Sequence, residues 1–377
     1  MANILITGGA GFIGSRLALR LIGEGHVVTV LDTLSPQVHG ADPEASPLYA
    51  AIKGKVRFVQ GTVTDRATMT EVLAGQEAIV HLAAETGTGQ SMYQIEHYNA
   101  VNVGGTALML DILANAPHSV KRIVVASSRS IYGEGRYRSA ELGDVYPGAR
   151  AAEDMQSGDF EVKYPGATTP LKLVATHEDS KIHPASVYGI TKQVQEQLIM
   201  TVCPSIGIEG VALRYQNVFG PGQSLSNPYT GILSIFSNLM MQGKPINIFE
   251  DGTESRDFVY IEDVVTATAL AVTHPAAANE VFNVGTGVPV SVMTVADTLK
   301  RLIGADVPIS VSGNFRIGDI RHNYAAMDKI AARLGFAPAY DFERGIAEFV
   351  GWATAMGATA SAYEASLDEM RRKGLLK

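Results

Sequence analysis

Tyr188 and Lys192 stand four residues apart in Tyr188-Gly189-Ile190-Thr191-Lys192. On a helix that spacing puts the phenol and the ammonium on one face. Alone, a Tyr-x-x-x-Lys pair is common and describes a solvated helix face. It gains weight from Ser127-Ser128-Arg129-Ser130-Ile131-Tyr132-Gly133, which follows a strand pattern at 122–126. A serine at the carboxyl edge of a parallel sheet lies where cofactors sit in such folds, and it can face a tyrosine on the next helix. Ser128, Tyr188 and Lys192 are therefore read as a catalytic set.

A second constellation lies near the start of the chain. Thr7-Gly8-Gly9-Ala10-Gly11-Phe12-Ile13-Gly14 joins a strand pattern to a helix pattern. Glycines at 8, 11 and 14 allow a tight turn, close backbone approach to a pyrophosphate, and close helix–sheet packing. The helix N-terminus then offers unpaired N–H groups and a partial positive charge to phosphates. Asp32 ends the second strand pattern, eighteen residues past Gly14, where a carboxylate accepts hydrogen bonds from an adenosine ribose. Its charge repels a 2′-phosphate, and Thr33-Leu34-Ser35 carries no arginine to hold one. The expected cofactor is NAD rather than NADP.

These residues must be positioned by alternating strands and helices. Apolar runs at 3–7, 27–31, 55–59, 78–81 and 122–126 read as strands, with helical patterns between several of them, at 15–23 and 99–114. Continuous β-branched runs separated by helices predict an α/β fold, a doubly wound parallel sheet covered on both faces. Residues 136–184 break the pattern as a long insertion. A helix at 185–200 and a strand at 210–215 resume it. Beyond Gln216 the pattern predicts a smaller α/β substrate domain, with strands at 245–249 and 307–310 and helices at 231–241, 292–303, 328–334 and 342–352. The expected division is an NAD-binding domain over 1–215, to which 258–285 returns, and a substrate-binding domain over 216–257 and 286–377.

Composition narrows the classes. The 377 residues are 46% hydrophobic and 18% charged, with 30 Lys+Arg against 38 Asp+Glu and a net charge of −8. Such a chain is too apolar for disorder. It also lacks the basic balance that nucleic acid or an anionic membrane demands, so neither is an expected partner. The 38 glycines exceed the usual share of about 7%, a sign of tight turns and close approaches. The one cysteine, Cys203, excludes a disulfide framework and lies in an apolar stretch, where it reads as a small buried hydrophobe. No apolar run is long enough to span a membrane, and the N-terminus carries no basic flank, so a cytoplasmic address is expected.

The glycine turn, His81-Leu82-Ala83-Ala84, Val101-Asn102-x-x-Gly105-Thr106, the Ser128 loop, Tyr188/Lys192, Leu213-Arg214-Tyr215-x-Asn217 and Ser255-Arg256-Asp257-Phe258-Val259-Tyr260-Ile261-x-Asp263-Val264 together resemble the extended short-chain dehydrogenase/reductases that modify nucleotide sugars. The resemblance implies that Tyr188 is a base. A phenol has pKa ~10, and lowering it by roughly three units requires about 4 kcal/mol of preference for the phenolate. Lys192 and the nicotinamide ring are expected to supply it. Lys192 would also hold the nicotinamide ribose, and Ser128 would bond the sugar hydroxyl and relay its proton. By motif match, NAD contacts fall to Gly8, Gly11, Phe12, Ile13, Gly14, Asp32, Thr33, Thr62, Val63, Leu82, Ala83, Ala84, Thr86, Ser127, Tyr188, Lys192 and Tyr215. Thr62 departs from the aspartate that relatives often carry there, and Asp65 reads instead as a helix N-cap. Substrate contacts fall to Thr86, Ser128 and Tyr188, with Asn217, Arg256 and Arg316 on the diphosphate and Arg321 a weaker candidate.

Within the family, dehydratases and decarboxylases carry an acid in the loop that here reads Ser128-Arg129-Ser130, and 3,5-epimerases add acid/base pairs that are missing here. What remains is hydride out and hydride back, a 4-epimerase. Glu85-Thr86-Gly87-Thr88-Gly89-Gln90-Ser91-Met92-Tyr93 and the run from Tyr215 to Gly231 extend the resemblance to the subgroup that interconverts dTDP-L-rhamnose and dTDP-6-deoxy-L-talose. A UDP-glucose/UDP-galactose 4-epimerase and a net nucleotide-sugar oxidoreductase are the alternatives. Members of this subgroup often carry what looks like a zinc knuckle in the insertion. The matching positions, Ser139, Leu142, Tyr164 and Ala167, are poor ligands, so no metal is expected, and the insertion is read as a lid held by packing or left mobile. Family resemblance also implies a homodimer through helices near 96–114 and 185–202.

Overall fold

Asn3–Thr7 (β1) buries every residue after Asn3, as an unbroken apolar run does only when both faces of its sheet are covered. Val27–Asp32 (β2), Arg57–Gln60 (β3), Ala78–His81 (β4) and Arg122–Ser128 (β5) join it. With strands Glu209–Tyr215 and Glu280–Val284 they form a seven-stranded sheet, in the order β3-β2-β1-β4-β5 and then those two. All its pairings are parallel. The order reverses between β1 and β4, and a crevice at the carboxyl ends of such strands is where doubly wound folds bind ligands. The computed structural model describes residues 1–227, 229, 231–360 and 363–377. Pro228 and Thr230 of the Tyr215–Gly231 motif therefore lie outside the described residues.

Strand alternation divides the core. Ile4 and Ile6 face Phe12–Gly23 (α1) and helix Ile261–Thr273, while Leu5 faces helices Gly105–Asn115 and Val187–Ser205. Cys203 is wholly buried in this second layer, and burial pushes its thiol up to about 12. The helix expected over 99–114 is divided. Asn99–Gly104 is a π-helical turn, and α-helix begins at Gly105.

Only part of 258–285 lies in the large sheet. Strand Ser255–Tyr260 instead pairs with Asn217–Phe219, Pro289–Ser291 and His322–Asn323 in a small sheet, and Glu280–Val284 alone takes the edge beside Glu209–Tyr215. The reason is continuity: the chain leaving Tyr215 runs straight into Asn217–Phe219, which recruits Ser255–Tyr260 in parallel.

The insertion has its own order. Tyr137–Ser139 pairs with Gly143–Val145 and Lys172–Leu173 over a small core of Tyr137, Val145 and Val162. The Glu141 carboxylate accepts from Ser139 Oγ at 2.7 Å, Thr168 Oγ1 at 2.7 Å and the Thr169 amide at 3.1 Å. That stitches the hairpin to the returning chain. Among the described residues no group of His, Cys, Asp and Glu could hold a metal ion, and no helix is long and apolar enough to cross a membrane.

Candidate active site

The glycine turn links β1 to α1. Gly8 has φ +69°, and a Cβ there would lie 2.8 Å from the Ala83 amide nitrogen. A Cβ on Gly14 would lie 2.5 Å from the Gly8 carbonyl oxygen. The fold itself demands those glycines. Gly11 is different, because its Cβ would meet only the Gly8 oxygen, at 3.3 Å. Gly11 is the N-cap of α1, which has no side-chain cap and no acid in its first turn, so no side chain takes its first N–H groups. A glycine turn at an uncapped helix N-terminus fits a pyrophosphate.

Asp32 closes the other side. Its carboxylate accepts from the amides of Ala10 at 3.0 Å and Leu34 at 2.8 Å. His39, which sequence spacing did not single out, lies 3.9 Å from Asp32. Burial outweighs the pull of Asp32 and lowers the His39 pKa, so the imidazole adds no cation there for a 2′-phosphate. Phe12 and Ile13 are half-buried at the turn, and Thr33 is exposed just beyond β2. Thr62 is half-buried and bonds Thr64, while Val63 packs against Gly105. Asp65 caps the helix that follows, accepting from the Thr68 amide at 2.8 Å. Leu82, Ala83 and Ala84 are half-buried past β4, and Thr86 is exposed with its carbonyl held by Tyr98 Oη at 2.6 Å.

The side chains of Ser127 and Tyr215 do not reach the cofactor crevice. Ser127 Oγ donates to Glu196 at 2.6 Å, and Tyr215 Oη meets Thr268 Oγ1 at 2.7 Å in the core. Only their main chains, at the strand ends, are left for a cofactor. Strand alternation explains Ser127, which points to one face of the sheet and Ser128 to the other; Tyr215 is in register with Ser128, and its long side chain runs on into the core to Thr268.

Ser186 caps the helix Val187–Ser205, accepting from the Gly189 amide at 3.1 Å. A Cβ on Gly189 would lie 2.7 Å from the Ser130 carbonyl oxygen, so this helix sits tightly on the Ser128 loop. Ser128, Tyr188 and Lys192 are thereby brought together. Lys192 Nζ donates to the Ala126 carbonyl at 3.0 Å and lies 6.0 Å from the centre of the Tyr188 ring. Burial pushes Lys192 down to about 7. At Tyr188 burial prevails as well and raises the phenol, opposed by the Ser128 hydroxyl and the Arg129 cation. The Lys192 amine is tethered to a carbonyl, and the cation that opposes burial at the phenol is Arg129.

Two buried polar residues hold this set. Asn102 takes the Glu85 amide at 2.8 Å, donates to the Glu85 carbonyl at 3.1 Å, and reaches Thr191 at 2.9 Å. His81 bridges Thr7 at 2.8 Å and Thr106 at 3.0 Å.

Beside the catalytic loop lies a cavity of about 240 Å³, lined by Arg129, Asn217, Arg256, Arg316 and Asp319 among others. Arg256 Nη2 donates to Asp319 at 3.1 Å and to the Ile320 carbonyl at 2.6 Å. The Arg316 guanidinium stacks 4.9 Å from the Phe249 ring. Arg321 is not available to a ligand. It is fully buried and held by Glu161 at 2.7 Å, Asp251 at 2.6 Å and Glu250 at 3.0 Å. Tyr363, Met370 and Leu375 also line the cavity. The sequence reading placed no element after 352, so Tyr363 and Met370 of the helix Tyr363–Arg372, and Leu375 beyond it, were assigned no role. A neighbouring pocket of about 160 Å³ has Gly148, Ala149, Arg150 and Met155 of the insertion in its wall.

Residues 4–150 and 163–285 match the NAD dependent epimerase/dehydratase family. The chain belongs to that family. It is 38% identical to the dTDP-L-rhamnose 4-epimerase of Burkholderia thailandensis, over 93% of this chain and 94% of the relative. The crystal structure of UDP-glucose 4-epimerase from Thermotoga maritima with UDP-glucose superimposes with a TM-score of 0.75 at 28% identity, covering 94% of this chain and 99% of that one. MoeE5 in complex with UDP-glucuronic acid and NAD gives 0.73 at 28% identity, with the same coverage. This family member is an enzyme and its cofactor is NAD. The Gly11 cradle and Asp32 are where its residues fit that group, for the pyrophosphate and the adenosine ribose.

Proposed function

We propose that this enzyme is a nucleotide-sugar 4-epimerase that interconverts dTDP-L-rhamnose and dTDP-6-deoxy-L-talose. The observation that carries the reading is the catalytic loop: Ser128, Tyr188 and Lys192 converge, and Ser128-Arg129-Ser130 holds no carboxylic acid to drive an elimination. The likeness to the Burkholderia enzyme supports the choice of sugar.

When bound, NAD supplies the hydride acceptor and then the donor. The protein does the rest. Tyr188 takes the proton of the C4 hydroxyl, with Ser128 bonding that hydroxyl and relaying the proton. Asn217, Arg256 and Arg316 hold the diphosphate while the keto sugar turns its other face to the cofactor. Tyr188 then returns the proton. Arginine suits the anchor because its planar fork bonds phosphate oxygens in pairs. Gly148, Ala149, Arg150 and Met155 wall the neighbouring pocket, which shares Ile317, Gly318 and Asp319 with the cavity, and this supports the reading of the insertion as a cover beside the site. We also propose the homodimer through helices near 96–114 and 185–202, which light scattering at micromolar protein would test.

The deciding experiment is NMR of dTDP-L-rhamnose, dTDP-6-deoxy-L-talose and UDP-glucose, each incubated with the protein. Interconversion of the first pair with no external nicotinamide consumed supports the proposal. Turnover of UDP-glucose to UDP-galactose alone moves the enzyme to the UDP-hexose type. Stoichiometric consumption of NADH makes it an oxidoreductase.

A further inference from the structure

We propose that Arg129 is a substrate-binding residue of the catalytic loop, holding the phosphate nearest the sugar while presenting its charge to the Tyr188 phenol. The inference rests on the reading that the cavity takes a nucleoside diphosphate sugar, and it adds a residue that no motif match assigned.

Position carries the first part. Arg129 opens the 3₁₀ turn Arg129–Tyr132, which Ser128 caps by accepting from the Ser130 amide at 3.1 Å. That turn sends the side chain into the cavity shared with Asn217, Arg256 and Arg316. There Arg129 Nε donates to Asn217 Oδ1 at 2.7 Å, so the guanidinium lies against a residue already assigned to the diphosphate.

Unmet demand carries the second part. Three neighbouring arginines already carry protein partners, Arg150 and Arg321 fully and Arg256 in part. Arg321 is enclosed by Glu161, Glu250 and Asp251. Arg150 makes a bidentate pair with Glu250, at 2.8 and 2.7 Å. Arg256 gives four of its bonds to Asp319 and to the carbonyls of Ser255, Ile320 and Arg321. Arg129 has one neutral amide, and no carboxylate among the described residues pairs with it at ion-pair distance. A desolvated guanidinium without an anion is costly, and an arriving phosphate relieves it. Burial and the nearby Arg256 accordingly lower Arg129 to about 10.

Charge carries the third. The groups facing Arg129 are Arg256, Asp319, Tyr188 and Glu134. Those facing Tyr188 are Ser128 and Arg129, with Lys192 at its ring face and Tyr98 nearby. Arg129 is thus placed to favour the phenolate that takes the sugar proton.

The test uses the NAD-loaded protein and Arg129→Met and Arg129→Lys. Calorimetry with dTDP and with thymidine separates phosphate from nucleoside. Arg129→Met is expected to weaken dTDP about tenfold or more and to leave thymidine unchanged. Phenolate absorbance, read as the difference from Tyr188→Phe, gives the Tyr188 titration without any turnover. Arg129→Met is expected to move it to higher pH, and Arg129→Lys to restore it by keeping the charge. Equal dTDP affinity in wild type and Arg129→Met, or a Tyr188 titration that stays in place, overturns the inference while leaving the epimerase reading intact. Wild-type protein that binds neither dTDP nor UDP overturns both.

Discussion

The Tyr188 phenol, the base in the proposed reaction, is set where burial opposes its ionisation, and the Ser128 hydroxyl and the Arg129 cation pull the other way. Removing the hydroxyl alone separates chemistry from binding. Tyr188→Phe should lower kcat by about 10²–10⁴-fold, with NAD retained, as single-turnover and cofactor-release assays would show. His81 gives a second prediction. Burial and the Lys192 charge hold its pKa at about 3, far below the ~6.5 of an unfolded histidine. As pH falls below 6.5 the unfolded chain takes a proton that the native one refuses. Stability from this residue is full above that pH and falls by roughly 2 kcal/mol by pH 5. Glu134, raised to about 7 by burial, acts in the opposite direction, losing stability as pH rises from its unfolded value through 7. The informative quantity is therefore the difference between wild type and His81→Gln in urea unfolding at pH 7 and pH 5, which should shrink as the pH falls.

The first helix and its turn divide glycines by purpose. A methyl at residue 14 strikes a carbonyl oxygen at 2.5 Å, whereas one at residue 11 meets a single atom at 3.3 Å. Gly14→Ala should cost about 1–3 kcal/mol through forced backbone movement and should also release NAD. Gly11→Ala should leave the Tm nearly unchanged while NAD affinity falls at least tenfold. Equal loss of Tm in both variants would contradict the assignment of Gly11 to the ligand. The cap of helix Val187–Ser205 belongs to the same scale. Ser186→Ala should cost about 1 kcal/mol and loosen the tyrosine two residues on.

Across the whole molecule, ion pairs centred on the buried Arg150 and Arg321, rather than its own modest core, join the insertion to segments beyond residue 216. Arg150 and Glu161 come from the insertion, Glu250, Asp251 and Arg321 from beyond residue 216, and Glu134 from the end of the catalytic loop. Removing Arg321 leaves the buried Glu250 to Arg150 alone, while Glu161 and Asp251 reach water. Arg321→Met should destabilise by about 3 kcal/mol, the low end for breaking a buried pair, because its acids keep water or Arg150, while Arg57→Met, which breaks an exposed pair with Glu71, should cost no more than about 1 kcal/mol. Chemical denaturation of both variants would check the contrast. The net charge of −8 looks unfavourable for an anionic substrate until the arginines are placed. The positive groups are concentrated locally at the cavity, and the acids beside them keep several of those arginines in position.

What the sequence determined by itself is what local spacing encodes. Apolar runs marked β1, β2, β4 and β5 and their sheet, three-residue glycine spacing marked the turn before α1, and four-residue spacing marked the face shared by Tyr188 and Lys192. Asp65 was legible as a cap because capping is decided within one turn. Tertiary structure decided everything that depends on which distant groups desolvate or pair a side chain. Arg316 and Arg321 stand in one motif, yet one lines the cavity and the other is enclosed by acids from remote segments. Ser127 and Tyr215 fall on matched positions, yet the sheet turns their side chains toward Glu196 and Thr268. His39, Tyr363 and Arg129 carried no spacing signal, because their surroundings come from long-range packing. Local periodicity fixes direction along an element, whereas burial and charge pairing are set only when elements far apart in the chain meet.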